Sequence, residues 1–156
     1  MSNKEENTYS GERTEKKNQY KIDRETALTE FIRYCDNNEF EYEESAMTEE
    51  EKESFSDIKK RFIKCCMEGR VEIDGTNLVY TVSKLSPEGY AGDTVTVKRP
   101  GGHAFTSMDN FKERESIHKL HGFMSAITGK EIKYFAKVDI SDWKFLQAIA
   151  SLFLSL

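Results

Sequence analysis

The spacing of apolar residues changes repeatedly along this chain, and each change marks the edge of an element. Residues 1–22 are polar and charged with no apolar period, so they predict a disordered tail. From Asp23 onward Ala27, Phe31 and Cys35 recur every four residues, with Leu28 and Ile32 beside them. That is one apolar face of a short helix, capped by Asp23 and closed near Asn37 and Asn38. An acidic linker follows. Thr48 and Glu51 then form a capping-box pattern, and Phe55, Ile58, Phe62 and Cys65 or Cys66 repeat at three- and four-residue steps up to Gly69. This predicts a helix over about 48–68.

The period then falls to two. Val71 and Ile73 alternate with charged residues, Asp74-Gly75 is a hairpin signal, and Leu78, Tyr80 and Val82 continue the alternation. LSPEGYAGD reads as a loop and residues 94–98 as a third strand, ended by Pro100-Gly101-Gly102. Residues 107–128 return to a helical spacing through Met108, Phe111, Ile117, Leu120, Met124 and Ile127, with Gly129 as the stop. After the link EIKYFAKV, Asp139 caps a last helix reaching about Leu154. The expected class is α+β: a small three-stranded antiparallel sheet covered by C-terminal helices, with N-terminal helices and a disordered N-terminal tail. Residues 1–22 form the tail, 23–47 the short helix and acidic linker, and 48–156 a single α+β domain.

Charge narrows the function classes. Nine carboxylates stand against the single Lys52 between Asp36 and Glu53, so this stretch would repel a nucleic-acid duplex. No Lys/Arg cluster supplies the phosphate footprint that such binding needs. The longest apolar stretch, residues 145–156, is too short to span a bilayer and is broken by Gln147, Ser151 and Ser155. With no apolar segment at the N-terminus, a cytoplasmic location is the expectation. Three cysteines, two of them adjacent, do not make a disulfide framework and read as buried thiols.

Candidate chemistry is sparse. His118 and His121 sit three apart on a predicted helix with Glu115 three residues earlier, a face on which a metal is conceivable. Nothing marks a further ligand, and isolated pairs of this kind are usually surface or half-buried histidines. A Cys–His nucleophile would need an electropositive, accessible thiol, whereas Cys35, Cys65 and Cys66 fall on apolar helix faces. Pro100-Gly101-Gly102-His103 lacks the spacing of a phosphate loop, and the acidic run lacks the alternating ligands of a calcium loop. The reading is therefore of a protein with no catalytic residues, no metal and no cofactor.

The last helix is the best clue. Trp143, Leu146, Ile149, Ala150 and Phe153 form one stripe, while Phe145, Leu152, Leu154 and Leu156 make the helix apolar nearly all round. The sheet, the N-terminal helix or another molecule must cover the surplus.

In order and spacing, residues 78–156 resemble the tail assembly chaperones of long-tailed bacteriophages. TVTVKRP (94–100) is similar to that family's β segment and proline, and Ala126-Ile127-Thr128-Gly129 to its turn. Ile132 and Val138 fall at the spacer's apolar positions. Asp139 and Asp142 stand where a capping acid and a following aspartate are expected, and Leu146, Ile149, Phe153 and Leu154 match the closing helix. Residues 1–68 lie outside the resemblance. It implies a mechanism without chemistry, in which the chain covers apolar stripes of the helical tape measure protein until tail tube subunits displace it. Helix-in-groove recognition is the implied mode. The expected contact residues are Trp143, Leu146, Ile149, Phe153 and Leu154, with Phe123 and Met124 nearby. A structural phage subunit (connector or baseplate component) and a small acidic protein-binding regulator are the alternatives, and homo-oligomerisation stays open.

Overall fold

The computed structural model describes residues 20–106, 108 and 116–156. Most of the predicted tail, and the start of the helix expected from residue 107 with Phe111 and Glu115, lie outside the described residues.

Helix α1 (Arg24–Asn38) begins where Asp23 accepts a hydrogen bond from the Thr26 N–H at 2.7 Å. Helix α2 (Glu49–Met67) opens with a complete capping box: Thr48 accepts from the Glu51 N–H, and Glu51 accepts from the Thr48 N–H. Two orphan donors of the first turn are thereby satisfied by neighbouring side chains. The buried residues of both helices belong to one continuous core. Phe31 meets Phe55 and Phe62 at centroid distances of 5.6 and 5.0 Å, so α1 folds against α2.

Strands β1 (Val71–Asp74), β2 (Asn77–Thr81) and β3 (Thr94–Val97) form an antiparallel sheet in the order β1-β2-β3. Asp74 pairs with Asn77 across the turn, and Gly75 takes the positive φ of 61° that tight hairpins require. Alternation then decides what is buried. Leu78, Tyr80, Val95 and Val97 point into the core, while Glu72 and Thr96 lie on the other face. The asparagines expected to end α1 do something further. Asn37 donates to the Gly75 carbonyl and Asn38 to those of Tyr34 and Thr76, which fastens the helix end to the hairpin turn.

The remaining helices are α3 (His103–Thr106), α4 (Ser116–Thr128), α5 (Tyr134–Lys137) and α6 (Ile140–Leu154). Neither α3 nor α5 is foreseen by the residue pattern, because one helical turn carries too little periodicity to read. Gly129 ends α4 with φ 73°, and the Ile127 carbonyl accepts from the Lys98 N–H, tying the end of β3 to α4. The molecule is thus α+β, with α6 at its centre. No helix among the described residues is long and apolar enough to cross a membrane.

Candidate functional site

The central position of α6 corrects the expected contact surface. Leu146, Ile149, Phe153, Phe123 and Met124 are all buried, none more than 2% exposed. They hold the core and are closed to any outside partner in this structure. Only Leu154 is exposed, and Trp143 is half-buried. The physical reason is that α6 has neighbours on every side. Phe145 stacks on Tyr80 of the sheet at 4.2 Å, Phe153 meets Phe40 edge-on at 4.9 Å, and α2 and α4 pack along the helix. A helix apolar all round is a core helix when enough layers surround it, and α2, with Phe40 from the segment after α1, supplies the layer that the sequence leaves unassigned.

An accessible site lies at the far end of α6. Glu39, just past α1, adopts a left-handed conformation with φ 60° and turns Phe40 back into the core. The chain then runs through the 3-10 turn Glu44–Ala46 to Thr48 and the start of α2. Between this crossing, the first turns of α2 and the last turn of α6 lies an open groove of about 740 Å³. Phe40, Met47, Phe55, Ile58, Leu152 and Leu156 contribute its apolar wall, and Glu39, Glu41, Glu50 and Glu51 its rim. None of the seven expected contact residues lines it. The signals were present in pieces, as Leu152 and Leu156 are four apart and Phe55 and Ile58 three apart, but the pieces belong to different helices.

The acid at Asp142 is the most connected polar group inside the fold. It is fully buried, and its two oxygens accept from the Tyr80 hydroxyl (2.5 Å), the Ser83 N–H (2.9 Å), the Ser83 hydroxyl (2.9 Å) and the Ser86 hydroxyl (2.6 Å). The Arg70 guanidinium lies 3.5 Å away and also donates to the Tyr80 hydroxyl. Burial, followed by the bond to Asp142, pushes the Tyr80 phenol well above its ordinary range. Ser86 in turn accepts from the Asp139 N–H, and Asp139 caps α6 by accepting from the Ser141 N–H. This cluster joins α6 to β2 and to the loop after it. It is sealed from solvent, and its geometry is that of a cross-brace.

The histidine pair is resolved differently from a metal site. His121 is buried, and its Nε2 accepts from Trp143 Nε1 at 2.7 Å, which occupies the lone pair that a metal would need. Among the described residues no group of three or more His, Cys, Asp or Glu is arranged to hold a metal ion. Burial, and then the charge of His118, lower the His121 pKa below its usual value. The neutral ring is therefore favoured in the folded state. The stability this contributes is complete above the unfolded histidine pKa of about 6.5 and is lost as pH falls from there through the lower folded pKa. Acidification from about pH 7 to about pH 5 should lower the melting midpoint and alter the fluorescence of Trp143, the sole tryptophan, and His121→Gln should flatten both responses. An unchanged acid response in that variant would assign it to other groups.

The three thiols are free and buried. Desolvation pushes Cys35 up to about 12 and Cys65 and Cys66 up to about 11, so at neutral pH they stay protonated and poorly nucleophilic.

Compared with known proteins, the chain matches no protein-family model, no curated protein and no solved structure.

Proposed function

We propose that the chain works by binding a helical segment of another polypeptide, as a tail assembly chaperone of a long-tailed phage or prophage binds its tape measure protein. The observation that carries this reading is the groove at the end of α6, an open trough with an apolar wall and an acidic rim. An amphipathic helix laid into such a trough gains by removing its apolar stripe from water, and the contacts are numerous and individually weak. That suits a partner that must be held in the bacterial cytoplasm and then surrendered to tail tube subunits. The order of TVTVKRP, the Thr128-Gly129 turn, Asp139 and the closing helix along residues 78–156 agrees with the same reading.

On this proposal the partner contacts the last turn of α6 and α2 rather than the buried stripe of α6. Co-expression with the long helical tape measure protein of a long-tailed phage tests the proposal, using wild type and Ile58→Glu/Leu156→Glu. Leu156 is 63% exposed and Ile58 half-buried at the edge of the core, and circular dichroism melts check that the double variant is folded before its capture is scored. Wild type should capture the helical protein, and the double variant should retain it at least about tenfold less well, as expected for loss of two central apolar contacts. Failure of folded wild type to capture it would remove the tape-measure assignment.

A further inference from the structure

We infer that the groove is built for a helix whose apolar stripe is flanked by lysine or arginine. This deepens, and rests on, the reading that the chain binds a helical segment. The apolar wall says that a partner docks, and the rim says which kind. Glu39, Glu41, Glu50 and Glu51 border the trough, and none of them is in an ion pair among the described residues. Lys52, next to Glu51, pairs with Glu49, and Arg99 donates to the Asn38 backbone carbonyl.

Local needs account for three of the four rim glutamates. Glu51 completes the capping box, and Glu50 complements the positive end of the α2 dipole. Glu41 accepts a hydrogen bond from the Glu43 N–H at 2.8 Å within its own loop, whereas Glu39 has no such local role. Glu39 sits past the C-terminal end of α1, where the helix dipole favours a cation. It also occupies the left-handed position that glycine or asparagine fills without strain, and among the described residues it is the one non-glycine residue with positive φ. Both charge and backbone argue for another residue there, so its carboxylate is better explained by what lies across the groove. A docked helix brings its flanking side chains to both rims, and Lys or Arg there would meet carboxylates on each side.

The test uses two designed helical peptides with one apolar stripe in common, the first flanked by lysines and the second by glutamates, each carrying a fluorophore for anisotropy. Wild type should bind the lysine-flanked peptide about tenfold more tightly at low salt, since several rim pairs each contribute a factor of roughly two to five. Added salt should narrow the gap. Glu39→Gly relaxes the backbone, and Glu41→Gln/Glu50→Gln removes two further charges. Both proteins should fold, the first with a melting midpoint no lower than wild type, and each should shrink the preference by about threefold or more. Equal affinities, preference for the glutamate peptide, no binding of either, or a preference unmoved in both variants would each overturn the inference. Capture of the long helical protein is scored separately. Capture alongside equal peptide affinities leaves the chaperone reading standing on apolar contacts alone. A clear lysine preference without capture keeps the groove's chemistry and discards the tape measure protein as its occupant.

Discussion

Asp142→Ala should destabilise the fold by about 3–5 kcal/mol, the range seen when one partner of a buried charged network is removed. The carboxylate is fully buried and accepts from four side-chain or backbone donors. The Ser83 N–H and hydroxyl, the Tyr80 hydroxyl and the Ser86 hydroxyl all point at it, with Arg70 at 3.5 Å. Alanine removes every acceptor at once and leaves the donors facing a methyl group, with the guanidinium deprived of its buried counter-charge. For a chain of 156 residues this corresponds to a fall in melting midpoint of roughly 10 °C. Asp142→Asn is expected to approach the same loss, because one amide nitrogen must then face a donor. Tyr80→Phe removes the hydroxyl that donates to Asp142 and accepts from Arg70 while keeping the ring stacked on Phe145 at 4.2 Å, and should cost about 2 kcal/mol. Thermal melts of the three variants check the ranking. A melting midpoint for Asp142→Ala within about 2 °C of wild type would mean that water replaces the carboxylate, and the cross-brace would lose its importance.

That network also shows where sequence reasoning stops. Elements with a long period or a capping pattern are readable in advance: Asp23 and α1, the Thr48–Glu51 box and α2, the two-residue alternation of the strands, Gly129 at the end of α4, and Asp139 at the start of α6. Each of these signals sits within a few residues of the element it defines. The brace does not. Arg70, Tyr80, Ser83 and Ser86 lie 56 to 72 positions from Asp142, in a strand and a loop that reveal no shared pattern. Tyr80 is recognisable as a core position of an alternating strand, but its hydroxyl's partner is not. The groove failed to appear for the same reason, since its walls come from three separate segments. The acidic run was visible, yet its placement beside an apolar trough depends on how α1 turns at Glu39. Likewise the all-apolar face of α6 signals that something must cover it, and only packing decides between another molecule and the chain's own α2 and Phe40.

Phe153→Asp should abolish the cooperative fold, whereas Leu154→Asp, one position along, should leave stability within about 0.5 kcal/mol of wild type. Phe153 is 1% exposed and sits edge-on to Phe40 at 4.9 Å, while Leu154 is 38% exposed. An aspartate at 153 must bury an unpaired carboxylate and also leave the space of a lost ring. The ring alone is worth about 3–5 kcal/mol, and the unsolvated charge adds several more. Their sum reaches the 5–15 kcal/mol by which domains of this kind are stable at all. Leu146→Asp meets the same fate at 2% exposure. Circular dichroism melts and Trp143 emission separate the two outcomes directly. A cooperative melt for Phe153→Asp would show that the end of α6 detaches locally, in which case the stripe could reach a partner after opening. If the variant is unfolded, its failure to bind reports on the core, and the interface must be mapped with solvated substitutions such as Leu156→Glu.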